Sequence, residues 1–159
     1  MPLDGTALRQ FASCFATGVA VITTRDKAGK PFGLTMSAIT SLSLDPALFL
    51  ICVDKRSNTL QPILDSRAFA INILAKGQET ISNTFAGKSD DKFAKIPHHS
   101  GEIGMPVIDG VHGAAEFSVH AEYPGGDHVI IVGEVRSVET SDVDPLLYFR
   151  GKYGAFAGN

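Results

Sequence analysis

Between Phe32 and Pro46, Thr40 apart, the hydroxyls and most apolar residues fall on opposite parities. Leu34, Met36, Ala38, Leu42 and Leu44 hold even positions, and Thr35, Ser37, Ser41 and Ser43 hold odd ones. Successive side chains of an extended strand point to opposite faces, so one continuous strand here carries a greasy face and a face of short hydroxyls. A solvent-facing strand more often carries Lys and Glu. A row of hydroxyls beside a core suits an uncharged polar ligand, or a phosphate that wants donors without bulk. A Ser/Thr-rich edge strand facing water would carry the same pattern.

The flanking segments set the fold class. Asp4 caps a first helix whose Leu8, Phe11, Ala12 and Phe15 fall at helical spacing, with Gly18 ending it. Val19 to Thr24 reads as a β-branched strand, and Asp26 to Lys30 as the turn of a hairpin closed by the hydroxyl strand. Asp45-Pro46 breaks that strand, and Ala47 to Val53 is a buried one. Leu60, Ile63 and Leu64 mark a short helix. Thr59 as its N-cap puts Pro62 in the first turn, where a missing N–H costs little. Ala68 to Leu74 is another strand, Gln78 to Phe85 a helix, Asp90 to Ile96 a helical turn, and 97–113 a loop. Ala114 to Tyr123 and His128 to Val138 are strands around a Pro124-to-Asp127 turn. Pro145 opens a helical turn behind Asp144, and the Gly151-to-Gly154 tail is loop. About six strands with short inserted helices and no βαβ rhythm predict a mainly β, antiparallel barrel with peripheral helices.

The 159 residues fit a single domain spanning 1–159, and 44% hydrophobic residues, ten of them Phe, supply its core. The net charge of −3 comes without a basic cluster, which argues against nucleic acid as a partner. No apolar run approaches membrane-spanning length, and the N-terminus lacks a signal-peptide pattern, so no membrane partner and a cytoplasmic location are expected. Cys14 and Cys52 form no CxxC and read as two buried small hydrophobes.

Three constellations could carry chemistry. Lys55, Arg56, Ser57, Asn58 and Thr59 combine positive charge and hydroxyls with a helix start, a setting that attracts anions. An ordinary capped helix after a charged loop would read alike. Phe85-Ala86-Gly87-Lys88-Ser89 ends like a P-loop, but Ser82 stands where the first Gly is needed and a helix precedes it. Phe85 can face a ring or simply the core. Gly125-Gly126-Asp127-His128 sets a histidine at the start of a strand, either to polarise a substrate amide or as a rim residue. His98, His99, His112, His120 and His128 have no ligand spacing, so no metal is expected. A Cys52–His128 nucleophile pair fails because a thiolate is costly in an apolar run. Neither GxSxG nor a strand-borne GxGxxG is present.

Taken together these residues resemble the short flavin reductases with an FMN-binding split-barrel fold, the reductase components of two-component flavin-dependent monooxygenases. The resemblance runs from about Phe11 to Tyr153. It is carried by Thr17 to Thr24, Gly33 to Ala38, Ser41 to Pro46, Phe69 to Leu74, Phe85-Ala86-Gly87, Gly126-Asp127-His128 and Pro145 to Phe149. It implies a six-stranded antiparallel split barrel of Greek-key type, a homodimer, FMN or FAD as cofactor, and NADH or NADPH as co-substrate. By the same resemblance Gly33, Leu34, Thr35, Met36, Ser37, Ala38 and Ser41 lie along the flavin. Cys52, Val53, Asp54, Lys55, Ser57, Asn58 and Thr59 wrap its ribityl and phosphate end. Phe85, Ala86 and Gly87 sit at its rim, Lys92 adds a phosphate contact, His128 stands near the nicotinamide, and Tyr153 holds the nicotinamide nucleotide. Ala38 departs from the second Ser that many relatives carry.

The expected function is hydride transfer from NAD(P)H to flavin, with reduced flavin passed to a separate monooxygenase. A non-enzymatic flavin- or haem-binding barrel and a pyridoxamine-phosphate oxidase relative are the competing readings.

Overall fold

The computed structural model describes residues 4–158, so the signal-peptide reading of Met1 to Leu3 lies outside the described residues. Its helices are α1 (Gly5–Ser13), α2 (Leu60–Ser66) and α3 (Glu79–Ala86). Its strands are β1 (Thr17–Gly18), β2 (Ala20–Arg25), β3 (Pro31–Met36), β4 (Ile39–Leu44), β5 (Ala47–Asp54) and β6 (Ala68–Ile73). They continue with β7 (His98–Ser100), β8 (Pro106–Ile108), β9 (Gly113–Gly125), β10 (His128–Thr140), β11 (Leu146–Phe149) and β12 (Lys152–Ala155). None of these helices is long and apolar enough to cross a membrane.

The fold is mainly β, as expected, but its main sheet has seven strands rather than six and does not close. The order is β3-β2-β6-β9-β10-β5-β4. Every pairing is antiparallel, and six pairings separate the edges, so β3 and β4 run the same way. The extra strand comes from a break. The stretch read as one hydroxyl strand divides after Met36, and Ser37-Ala38 carries the chain from one edge of the sheet to the other. A flat seven-stranded sheet would hold its edges roughly 29 Å apart, whereas three residue steps span at most about 11 Å. The sheet must therefore curl on itself.

Curling gives each strand an inner and an outer face. The inner face holds Ala20, Ile22, Ile51, Val53, Phe69, Ile71, Phe117 and Ile131, with Ile63 of α2. Phe69 and Phe117 stack there with centroids 5.1 Å apart. Gly133 passes against both rings: a Cβ on it would lie 2.6 Å from the Phe69 ring, so only glycine fits at this β10 bulge. The outer face holds Val19, Val21, Leu74, Phe85, Phe93, Val107 and Ile108, covered by α3 and the β7–β8 hairpin. β2 is thus buried on both sides.

Two polar residues lock the outer layer. Asn72, fully buried, donates to Val21 O and Thr23 Oγ1 and accepts from Ile108 N–H at 2.8 Å, fastening β8 to the sheet. Glu116, also buried, accepts from the N–H groups of Glu102, Ile103 and Met105 and from the Ser137 hydroxyl. The loop preceding β8 closes around that carboxylate.

Local expectations met mixed outcomes. Asp4 caps α1, accepting from Thr6 N–H at 3.0 Å. The helix stops at Ser13 rather than Gly18, because Thr17-Gly18 is drawn into β1 against β11. Thr59 is the N-cap of α2 and Pro62 its third residue, although the Thr59 side chain makes no capping bond. Cys14 is exposed, not buried, because α1 has no buried residue, and Cys52 is half-buried; both are free. Leu42 and Leu44 are exposed, since a bulge between Ser41 and Ser43 follows the edge crossing and cancels the predicted parity. Pro145 makes a bridge to Ala75 instead of opening a helical turn, and the loop-like tail is strand β12. The 97–113 loop contains the short hairpin β7–β8.

The Asn72→Ala variant would leave the Ile108 N–H without its acceptor inside the core. A loss of about 1–3 kcal/mol is expected, read as a lower urea midpoint with an unchanged m-value. A midpoint equal to that of the parent would remove Asn72 as a fastening.

Candidate functional site

The curled edges leave an opening beside β3. A cleft of about 650 Å³ lies between β3, the β5–α2 loop and the C-terminal end of α3. Leu34, Thr35, Asp54, Ser57, Asn58, Phe85, Ala86, Gly87 and Lys92 line it, so nine of the predicted positions meet in one place. Arg56 and Lys88 line it as well. The sequence signal for Arg56 was its charge beside Ser57.

β3 and α3 are clamped face to face. The Thr35 hydroxyl donates to Ser82 O at 2.6 Å. The Lys92 ammonium donates to Gly33 O and Phe85 O, each at 3.0 Å. Gly33 lies so close to α3 that a Cβ would sit 2.7 Å from the Phe85 ring. Backbone N–H and C=O of one residue point to the same side of an antiparallel ladder, and these sides alternate. The Gly33 carbonyl points away from β2 to reach Lys92, so the Thr35 peptide groups also face the open edge. Burial among these groups pushes the Lys92 pKa down.

The opposite wall carries an ion pair. Arg56 NH2 lies 2.7 Å from Asp54 Oδ2, and Arg56 Nε and N–H both donate to Asp54 Oδ1. Those donors hold the Asp54 carboxyl well below the usual carboxylate range and raise the Arg56 guanidinium. Ser57 Oγ accepts from Thr59 N–H at 3.2 Å, which shapes the loop between them.

Several predicted positions fall outside this cleft. Ser37, Ala38 and Cys52 line a separate apolar groove of about 430 Å³, shared with Phe15, Tyr148 and Phe149. Met36 turns inward against the core, and Val53 and Thr59 are fully buried. Ser41 is exposed on β4. Lys55 donates its ammonium to Gly126 O at 2.6 Å and its N–H to Asp127 O, so it ties β5 to the β9–β10 turn. His128 pairs across the sheet with Asp54 at the end of the cleft, and its Nδ1 shares a 2.7 Å hydrogen bond with Asp127 Oδ1. That bond is the main cause of a lowered Asp127 pKa. Tyr153 donates to Ser82 Oγ and Asn83 Oδ1, both at 2.8 Å, so its hydroxyl braces α3 from outside. Among the described residues no group of three or more His, Cys, Asp or Glu side chains is placed to hold a metal ion.

The arrangement offers neutral hydroxyls, an open strand edge and an apolar wall at one end, with three cations at the other. It suits a planar polar ring attached to phosphate. It contains no acid–base dyad facing a nucleophile.

Comparison with known proteins agrees with this chemistry. The family profile described as "Flavin reductase like domain" matches residues 12–157. A probable flavin reductase of Rhizobium meliloti is 43% identical over 94% of this chain and 48% of its own length. The reductase component of a flavin-dependent trigonelline monooxygenase of Acinetobacter baylyi is 40% identical over 92% of this chain and 47% of its own. The chain therefore spans about half the length of these two curated relatives. The solved structure of the NADH:FAD oxidoreductase SgcE6 of Streptomyces globisporus, in complex with NAD and FAD fragments, superposes with a TM-score of 0.93 at 36% identity. That superposition covers 99% of this chain and 95% of that one.

The depressed Asp54 carboxyl should titrate below its ordinary 3.8. The stabilisation it provides is present above 3.8 and is lost as pH falls through the lowered value. A carbon-13 NMR titration should find this inflection, and Arg56→Ala should return it towards 3.8. An Asp54 inflection that ignores the Arg56 substitution would break the assigned pairing.

Proposed function

Because the chain belongs to the flavin reductase-like family, we propose that it is an NAD(P)H:flavin oxidoreductase supplying reduced FMN or FAD to a separate monooxygenase. The observation that carries this reading is the cleft along the open edge of β3. Its volume lies in the range of small-molecule sites. Leu34 and Ala86 offer an apolar wall to a flat ring, with the Phe85 side chain turned into the core behind them rather than towards a ring, while Thr35, Ser57 and Asn58 offer hydrogen bonds. Arg56, Lys88 and Lys92 offer compensation for a phosphate.

A bound flavin would supply the redox chemistry as the hydride acceptor for a nicotinamide nucleotide. The chain's own residues bind and orient. The Thr35 peptide N–H, directed to the open edge, is a donor for negative charge building on the ring's pyrimidine side. His128, with Nδ1 fixed by Asp127, keeps Nε2 available to a nicotinamide carboxamide. Thr35 holds α3 against β3 and Tyr153 braces it from β12, which keeps the ring wall at a fixed separation. The positions outside the main cleft, Gly33, Met36, Ser37, Ala38, Ser41, Cys52, Val53, Lys55 and Thr59, belong to the same proposal. They shape the backbone around the ring and the phosphate loop.

We further propose one split-barrel domain over residues 1–159, a cytoplasmic setting and a homodimer. Two unpaired cysteines agree with a reducing compartment. The homodimer is supported by α1, which buries none of its residues, and by Leu8, Phe11, Phe15, Leu42 and Leu44, all exposed on the single chain.

Mixing the protein with NADH or NADPH and a free flavin should give multiple turnovers of nucleotide oxidation. Absence of turnover for all four pairs rejects the activity. His128→Ala should slow flavin reduction by about ten- to hundredfold while leaving the flavin dissociation constant nearly unchanged. Equal losses in the two measurements would assign His128 to structure.

Light scattering should give twice the 16.9 kDa chain mass. Replacing Phe11 and Phe15 together by Glu should move the population towards monomer. A parent protein that is monomeric at micromolar concentration excludes the dimer.

A further inference from the structure

β10 outruns its neighbour. It pairs with β5 only as far as Glu134, and the stretch from Val135 to Thr140 has a strand on the β9 side alone. Ser141 N–H donates to His112 O across that ladder. Peptide groups alternate sides along an antiparallel ladder, so those of Glu139 face β9 and those of Val138 and Thr140 face the open side. β7 has the same character. Gly101 N–H donates to Met105 O and Asp109 N–H to Pro97 O, so the peptide groups of Ser100, opposite Pro106, turn away from β8. Among the described residues no backbone partner meets Ser100, Val138 or Thr140 on those open sides.

Both edges border one depression on the outer face. Ser100 and Val138 line a groove of about 330 Å³ floored by Val107 and Ala114. Through His99 and Glu139, which belong to both linings, it continues into a second groove of about 350 Å³ that Thr140 lines. The buried Glu116 carboxylate accepts from the Glu102 and Ile103 N–H groups on one wall and from the Ser137 hydroxyl on the other, which fixes the spacing of the walls. Neither lining contains Lys or Arg. Glu102, Asp109 and Glu139 are exposed there, and among the described residues Glu102 and Glu139 enter no ion pair. Val138 and Val143 line the grooves as well and stay 66% and 44% exposed.

We propose that this double groove docks an extended segment of a partner protein in which Lys or Arg alternates with aliphatic residues. The open peptide groups offer the main-chain hydrogen bonds of strand addition. Period-two alternation sets cations against the carboxylates and aliphatic side chains against Val138 and Val143. Charge decides between occupants. A second copy, docked by the same surface, would bring its own Glu102 and Glu139 against these carboxylates, whereas a basic segment is drawn to them. The groove shares no lining residue with the cleft beside β3, so the proposal stands independently of the flavin reading.

A short labelled peptide alternating Lys and Val, titrated with the full chain and followed by fluorescence anisotropy, is the probe. It should bind saturably and more weakly as salt is raised, and a peptide alternating Glu and Val should not bind. Glu102→Lys combined with Glu139→Lys should weaken binding roughly tenfold without shifting the melting curve, since both side chains are exposed. N-methylation of alternate peptide nitrogens keeps the charge, removes the donors and should cost as much. Hydrogen exchange of the Val138 and Thr140 amides should slow when the peptide is bound. Absence of binding, equal binding of the N-methylated peptide, or unchanged exchange at both amides overturns the proposal. Full affinity in the charge-reversed variant places the peptide elsewhere and overturns it as well. Self-association of the chain that the peptide displaces gives the groove to a second copy, which also overturns it.

Discussion

A two-residue link governs this molecule. Ser37-Ala38 joins the two outermost strands of a seven-stranded sheet, and no flat sheet can satisfy so short a tether. The inner core, the outer layer and the cleft all follow from the curl it enforces. The link is itself pinned, for Cys52 N–H donates to Ala38 O at 3.1 Å and Ile39 N–H to Ser37 O at 2.9 Å. An open strand edge is ordinarily a liability, because its peptide groups invite another strand. On β3 that edge is guarded by a lysine ammonium on the Gly33 carbonyl and by α3 packed too close for any side chain at Gly33.

Much of the fold was legible because burial writes itself into sequence. β2, β5, β6, β9 and β10 are strands whose inward positions carry branched or aromatic residues, and their ends carry turn residues. The edge crossing was scarcely legible. Greasy and hydroxyl residues alternate up to Ser37-Ala38 and the parity inverts at Ile39-Thr40, a brief local mark that the resumed alternation from Ser41 conceals. β11 and β12 were hidden for another reason. Their pairing is with distant Thr17-Gly18 and with each other, and Tyr148 and Phe149 remain partly exposed, so neither pattern nor propensity forced the reading.

The site was legible in composition and illegible in partition. Charge and hydroxyls around Lys55 to Thr59 suggested a loop suited to an anion, and the structure brings Asp54, Arg56, Ser57 and Asn58 against Phe85 to Lys88. It also divides the hydroxyl stretch, leaving Thr35 in the cleft and Ser37 in the groove beside α1. Lys55, the more obvious cation in sequence, is spent on the Gly126 carbonyl, whereas Arg56 reaches the cleft wall. Glu116 had no sequence signature at all. Its partners are loop N–H groups, and any residue type supplies those.

The economy of the cleft fits the task proposed for it. Hydride transfer between two rings asks for parallel approach and exclusion of alternatives, and for no proton relay from the protein. Rigid walls serve that purpose, and the walls here are fixed by bonds from Thr35, Lys92 and Tyr153. One of the three cations lining the cleft is already paired: Arg56 is held by Asp54, so the phosphate of the proposed flavin would have to compete for it. That competition lowers affinity without removing the positive field that attracts the ligand. A carrier that must release reduced flavin gains from such an arrangement, because fast capture and ready departure are both met by a site whose charge is partly satisfied beforehand.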